Sequence, residues 1–183
     1  TGCLNMCPLS TVLIIGPSYL WYYLFYSTMS PFILLLIAIL FFGSLSCLFT
    51  AYLTEPGLLP TVDEDVHEDV GNKRPSRPKK LVVLPGEDKR SELLEFRAKY
   101  CRDTGNTIEK FDHFCPWTGN GVGVRNYRYY FCFLVFTTAL ALGVMATSAV
   151  AALNADSDSS IVMIAWLLVV YCALILCLVG GLL

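Results

Sequence analysis

The sequence predicts an all-α membrane protein: four transmembrane helices, with a cytosolic loop domain between the second and the third. Three observations predict it. The 183 residues are 55% hydrophobic but only 15% charged, the composition of an integral membrane protein rather than of a soluble domain. The chain holds four apolar runs, each long enough for a bilayer core, which takes about 20 helical residues at about 1.5 Å rise. All 13 Lys and Arg fall in one connection, between Lys73 and Arg128.

The first run covers Thr11–Thr28 and carries Gly16-Pro17, a pair expected to kink or break a helix. Pro31–Leu53, Tyr129–Leu153 and Ile161–Leu183 form the other three. None of the four contains Asp, Glu, Lys, Arg or His, which argues against an ion channel or transporter. No basic region precedes the first run, so it does not read as a cleaved signal peptide. Small residues in the third run, Ala139, Ala141, Gly143, Ala146 and Ser148, suit either tight helix packing or room for a ligand.

The connections set the orientation. Ser27–Ser30 is uncharged, Asn154–Ser160 carries only Asp156 and Asp158, and every basic residue lies in the long loop. Arg125 and Arg128 abut the third run, so the positive-inside rule puts the loop and both termini in the cytosol. The domains are then 1–53, an N-terminal segment with helices 1 and 2; 54–128, the cytosolic loop; and 129–183, helices 3 and 4. The Tyr127–Phe131 cluster reads as an aromatic interface anchor. Net charge of -2 gives no reason to expect nucleic acid.

Composition shifts along the loop. Asp63–Asp69 is acidic, Lys73–Lys80 basic, and both read as solvated linker. Leu81–Leu84 is a short β-type run before the Pro85-Gly86 turn, and Ser91–Lys99 has the spacing of a short amphipathic helix or irregular strand. In a reducing cytosol Cys101 and Cys115 are expected as free thiols, whereas Cys47, Cys132, Cys172 and Cys177 sit in apolar runs as small hydrophobes. Cys3 and Cys7, near the membrane surface, are candidate acylation sites.

The chemistry concentrates in Phe111-Asp112-His113-Phe114-Cys115-Pro116-Trp117. A thiol becomes a strong nucleophile only as the thiolate, so an imidazole base nearby matters. A carboxylate beside that imidazole holds its tautomer and stabilises the imidazolium. Asp112, His113 and Cys115 thus supply the three parts of a cysteine acyl-transfer site.

The stretch Phe111–Arg128 resembles the core of the DHHC-type protein S-acyltransferases (palmitoyltransferases), whose pattern runs D-H-H-C-P-W through N-Y-R. Thr54-Glu55-Pro56-Gly57 resembles their D-P-G motif, with Glu for Asp. The resemblance implies a cytosolic catalytic loop domain, with His113 as base and Cys115 as nucleophile. It also implies acyl-CoA, palmitoyl-CoA above all, as co-substrate, with the acyl chain held between the helices. Protein substrates would present a cytosolic or membrane-associated cysteine, and the enzyme would sit as a multi-pass protein in Golgi, endoplasmic reticulum or plasma membrane. Arg125 and Arg128 are candidate contacts for the CoA phosphates or for lipid. Asn120 and Asn126 are expected to brace the loop. The sequence begins at Thr1 and stops in apolar residues, as a fragment would, so the family's T-T-x-E motif is expected beyond residue 183.

Family members fold this loop around two zinc ions, and here the sequence departs. The ligand positions hold Glu87, Arg90, Tyr100, Cys101, Thr104, Thr107, Phe114 and Gly121. One potential ligand, Cys101, is too few for a zinc site of about four, so no metal residues are expected. A Cys₂His₂ alternative from His67, Cys101, His113 and Cys115 has irregular spacing. The expected function is acyl transfer through a Cys115 thioester. The alternative is a catalytically impaired DHHC-like scaffold or accessory membrane protein.

Overall fold

The computed structural model describes residues 7–59, 98–154 and 160–180. Along them run helix α1 (Cys7–Phe25) and helix α2 (Pro31–Leu53), then strands β1 (Leu58–Leu59), β2 (Lys99–Cys101), β3 (Asn106–Ile108), β4 (Phe114–Cys115) and β5 (Asn120–Gly121). Helices α3 (Tyr127–Asn154) and α4 (Ser160–Gly180) follow. The acidic, basic and β-type stretches between Asp63 and Leu84, the positions Glu87 and Arg90, and Cys3 lie outside the described residues.

The helices start and stop for local reasons. Pro17 lies inside α1 without ending it. After α1, the Thr28 hydroxyl donates to the Phe25 carbonyl at 3.0 Å and occupies one of the acceptors a helix end leaves open. Ser30 stands at the N-cap of α2, its Oγ accepting from Ile33 N at 3.5 Å, with Pro31 at the first helical position where its missing N–H costs nothing. Among the described residues, α2 and the Tyr127–Leu153 part of α3 are long and apolar enough to cross a membrane. A shorter apolar stretch, Val162–Ile175, lies within α4.

The all-α expectation is corrected in the loop. Strand β3 lies between β1 and β2 in an antiparallel sheet, and β4 pairs with β5 in a second one. Gly105, Gly119, Gly121 and Gly123, interspersed with Asp103, Asn106 and Asn120, discourage helix and favour turns over this stretch. The strands are only two or three residues long, too short to show an alternating pattern in the sequence.

Contacts divide the described residues into two compact units, one built around the loop strands with residues 50–59 and 98–130, the other around the helices with residues 8–49, 131–154 and 160–180. In the helical unit, Trp21, Leu48, Val144 and Ala165 are buried. Helices α2 and α3 approach through small residues: a Cβ at Gly43 would stand 2.7 Å from the Phe136 ring, and one at Gly143 would stand 2.7 Å from Ile37 Cδ1. The Ser44 and Thr137 hydroxyls are hydrogen-bonded at 2.6 Å between them, a polar link of the kind that joins helices in apolar surroundings. The Tyr171 hydroxyl donates to the Leu13 carbonyl, tying α4 to α1. Large apolar side chains such as Phe32, Leu36, Phe42, Leu153 and Met163 face outward, a surface suited to lipid rather than water.

The loop unit has its own core. Ile108, Val122, Cys101 and Cys115 are buried. The backbone crosses itself closely at Gly123, where an added Cβ would collide with the Pro56 carbonyl oxygen and stand 2.5 Å from Ile108 Cγ2. Overpacking of this kind costs roughly 1–3 kcal/mol, so Gly123→Ala is expected to lower the unfolding temperature of the protein in detergent by several degrees. Gly16→Ala, where nothing lies within 4 Å of the new Cβ, is expected to leave it unchanged or slightly raised. A thermal melt of the two variants beside the parent checks both.

Candidate active site

The segment Glu55-Pro56-Gly57 is the first support of the site. Gly57 has φ +105°, a left-handed conformation costly for other residues, and a Cβ there would stand 2.8 Å from Val124 Cγ1. Its carbonyl accepts from Glu109 N at 2.9 Å, and the Glu109 carbonyl accepts from Val124 N at 3.1 Å. Glu55 caps the turn, its Oε1 accepting from Leu58 N at 2.9 Å, while its Oε2 pairs with Arg125 Nη1 at 2.7 Å.

Two asparagines lock the loop to the end of α2. Asn120 Nδ2 shares its protons among the carbonyls of Ala51, Tyr52 and Thr54 at 3.2, 3.1 and 2.9 Å, acceptors that a helix C-terminus leaves open. The buried Asn126 donates from Nδ2 to the Gly121 carbonyl at 2.8 Å and to Ala51 O at 3.4 Å, and accepts from Gly123 N at 2.9 Å. Its own carbonyl receives Tyr129 N and Tyr130 N at 3.0 Å, which opens α3.

Between these supports, β4 and β5 form a hairpin with Cys115 opposite Asn120. The turn closes by Gly119 N donating to Pro116 O at 3.0 Å, with Gly119 at φ +64°. Thr118 Oγ1 donates to the Cys115 carbonyl at 3.2 Å. The pairing extends past the strands: Asp112 N donates to Val122 O at 2.9 Å and Val122 N to His113 O at 2.8 Å. Asp112, His113 and Cys115 therefore stand on one arm of a single hairpin.

Cys115 is a free thiol with 0% exposure. His113 Nδ1 lies 3.4 Å from Asp112 Oδ2, with the imidazole 32% and the carboxylate 55% exposed. That contact favours the tautomer with the proton on Nδ1, which leaves the Nε2 lone pair free as a base. His113 Nε2 is buried and has no hydrogen-bond partner among the described residues. The imidazole packs edge-on against the Tyr130 ring, with centroids 5.2 Å apart. The Tyr130 hydroxyl is also buried without a partner. Tyr130 had looked like part of an interface anchor, and only its fold neighbours place it beside the imidazole.

Arg125 is held by Glu55, and Arg128 donates to the Tyr129 hydroxyl at 2.6 Å while its guanidinium lies 4.6 Å from that ring centroid. Two lysines that the sequence did not single out line an open groove of about 730 Å³ together with Phe111, Asp112 and Tyr127: Lys99 and Lys110. Lys110 has φ 49°, rare for a residue with a Cβ, and no sequence pattern announces it.

A zinc ion does not fit the residues present. Among the described residues no three His, Cys, Asp or Glu side chains stand close enough to hold a metal. The Cys101 turn is closed instead by a backbone bond, Gly105 N to Cys101 O at 2.9 Å. At Gly121 a Cβ would stand 2.7 Å from Ile108 Cδ1, so that side chain fills the space a ligand would need.

A family model described as DHHC palmitoyltransferase matches residues 92–183. Palmitoyltransferase ZDHHC18 of Mus musculus is 33% identical over 129 residues, which cover 60% of this chain and 34% of that protein. Palmitoyltransferase ZDHHC5 of Rattus norvegicus is 34% identical over 122 residues, covering 63% of this chain and 17% of that one. The human ZDHHC18 is 33% identical over 129 residues, with 60% and 33% covered. The chain thus spans about a third or less of the length of the curated relatives it matches.

Removal of the Asn126 side chain would leave the buried Gly121 carbonyl and Gly123 N–H without partners, and an orphaned buried group costs about 1–3 kcal/mol. Asn126→Ala is expected to destabilise the loop by more than Asn120→Ala, whose acceptors lie nearer the surface. Limited proteolysis of the two variants, read as the rate of cleavage between residues 98 and 126, checks the order.

Proposed function

Because the chain belongs to the DHHC palmitoyltransferase family, we propose that it is a protein S-acyltransferase, moving a long-chain acyl group from acyl-CoA to cysteines of substrate proteins through a thioester on Cys115. The observation that carries this reading is the oriented pair Asp112–His113, with an unpartnered buried Nε2, on the same hairpin as a buried free thiol.

The Cys115 thiol gives its proton to His113 Nε2, and the thiolate attacks the thioester carbon. Asp112 holds the imidazole in its tautomer and stabilises the imidazolium. Collapse of the tetrahedral adduct expels the CoA sulfur, which takes the proton back from His113. In the second half-reaction a substrate cysteine loses its proton to His113 and displaces Cys115. Exchange of one thioester for another is nearly balanced in energy, so catalysis rests on positioning and on supply of thiolate.

Lys99 and Lys110 place positive charge along the groove that Asp112 borders, and we assign the CoA phosphates to them, with Arg125 and Arg128 adding charge at the start of α3. The two candidate spans and the outward apolar side chains support a membrane setting. The four-span topology with a cytosolic loop is part of this reading, and it rests on the run of basic residues from Lys73 to Arg128. The loop is proposed to work without zinc, its hairpins held by packing and by the two asparagines.

In-gel labelling with an alkyne-tagged palmitoyl-CoA tests the assignment. Label released by hydroxylamine is expected on the parent protein, absent in Cys115→Ser, and reduced about 10²–10⁴-fold in His113→Ala, the usual range for a general base. An unlabelled parent, or label retained in Cys115→Ser, overturns the transferase reading. Lys110→Glu is expected to raise the half-saturating acyl-CoA concentration with little change at saturation. Zinc measured by elemental analysis should fall well below one ion per chain, and chelator should leave labelling intact.

A further inference from the structure

The Tyr130 hydroxyl is an expensive group to leave as it stands. The residue is 5% exposed and its oxygen has no hydrogen-bond partner among the described residues. A buried hydroxyl without a partner costs about 1–3 kcal/mol, and a phenylalanine ring would fill the same space at no such cost. Its surroundings say what it is for. The ring packs edge-on against His113, the proposed base, at 5.2 Å between centroids. A second polar atom, His113 Nε2, is likewise buried and unpartnered. One of these atoms is an acceptor ready for a proton, the other is a donor with no acceptor, and their two rings are in edge-on contact.

Building on the acyl-transfer reading above, we propose that Tyr130 is a catalytic residue whose hydroxyl donates a hydrogen bond to the oxyanion formed when Cys115 attacks a thioester. As the S–C bond forms, the carbonyl π pair moves onto oxygen, and that oxygen is the acceptor the hydroxyl lacks at rest. When the adduct collapses, the pair returns, the carbonyl re-forms and the CoA sulfur leaves with the proton from His113. Tyr130 keeps its own proton throughout. A donor held in place before the charge develops needs no reorganisation at the moment of reaction, and loss of one such donor costs on the order of 10²–10³ in rate. Phe111, Phe114 and Trp117 offer no hydroxyl, so among the aromatic side chains nearest Cys115 in sequence the role falls to one that is distant by fifteen positions along the chain.

The test is Tyr130→Phe in the full chain, a change that keeps the ring and removes one oxygen. Single-turnover labelling by palmitoyl-CoA is measured beside alkylation of Cys115 by 2-bromopalmitate, which the thiolate attacks at a saturated carbon with no oxyanion. About a hundredfold loss in the acylation rate at saturating palmitoyl-CoA is expected, with the half-saturating concentration and the alkylation rate unchanged. Acylation at the parent's rate overturns the inference and leaves the transferase reading standing. A parallel fall in alkylation also overturns it, because the hydroxyl would then act on the thiolate or on the fold. An unlabelled parent overturns both.

Discussion

The loop unit depends on side-chain amides that reach backbone carbonyls where a helix ends. A helix C-terminus presents carbonyls that no further turn will satisfy. At the end of α2 those carbonyls are met by Asn120 and Asn126, from 66 to 75 positions further along the chain. The Asn126 side chain also holds β5 at Gly121, and its backbone carbonyl opens α3. Since Cys115 lies opposite Asn120 in the hairpin, the proposed nucleophile is positioned by hydrogen bonds that also fix the chain's exit from one helix and its entry to the next. A packed hairpin alone would have no such reference point.

This arrangement supports the proposal that the loop holds its shape without a metal. Apparent zinc-binding energies in small peptides run to about 10 kcal/mol or more, whereas one buried aliphatic or aromatic side chain contributes roughly 1.5–3 kcal/mol. No single contact here replaces an ion. The contribution is spread over Ile108 filling the place beside Gly121, the close crossing of Gly123 over Pro56, the buried Cys101 and Val122, and the two amides. The donor set is thinned at Tyr100, Thr104, Thr107 and Phe114, while Asp112, His113 and Cys115 keep their reactive groups.

Much of the plan was legible in the sequence, and what was not had physical reasons. Apolar runs announced the helices because a long helix in lipid demands unbroken hydrophobicity, and the Asp-His-x-Cys order singled out three residues that the fold carries on one hairpin, because a thiol needs a base and the base needs an orienter. Pro17 misled only mildly: α1 runs through it. The sheets were hidden, since strands of two or three residues carry no periodic signal and owe their pairing to turns and to distant partners. The contact of Tyr130 with His113 was not legible, because it exists only once α3 begins where Asn126 starts it. Lys99 and Lys110 were two cations among thirteen until the fold brought them to one groove.

The complete burial of Cys115 sets a timescale as well as a place. Hydrolysis of a thioester requires water at the carbonyl, and in the resting structure Cys115 is fully buried from solvent. Under the proposed acyl transfer, an acyl group on a sulfur sheltered in this way would be passed to an acceptor thiol sooner than lost to water, and turnover would follow the encounter with acceptor proteins. The loaded protein would then behave as a store of activated lipid, spent on demand.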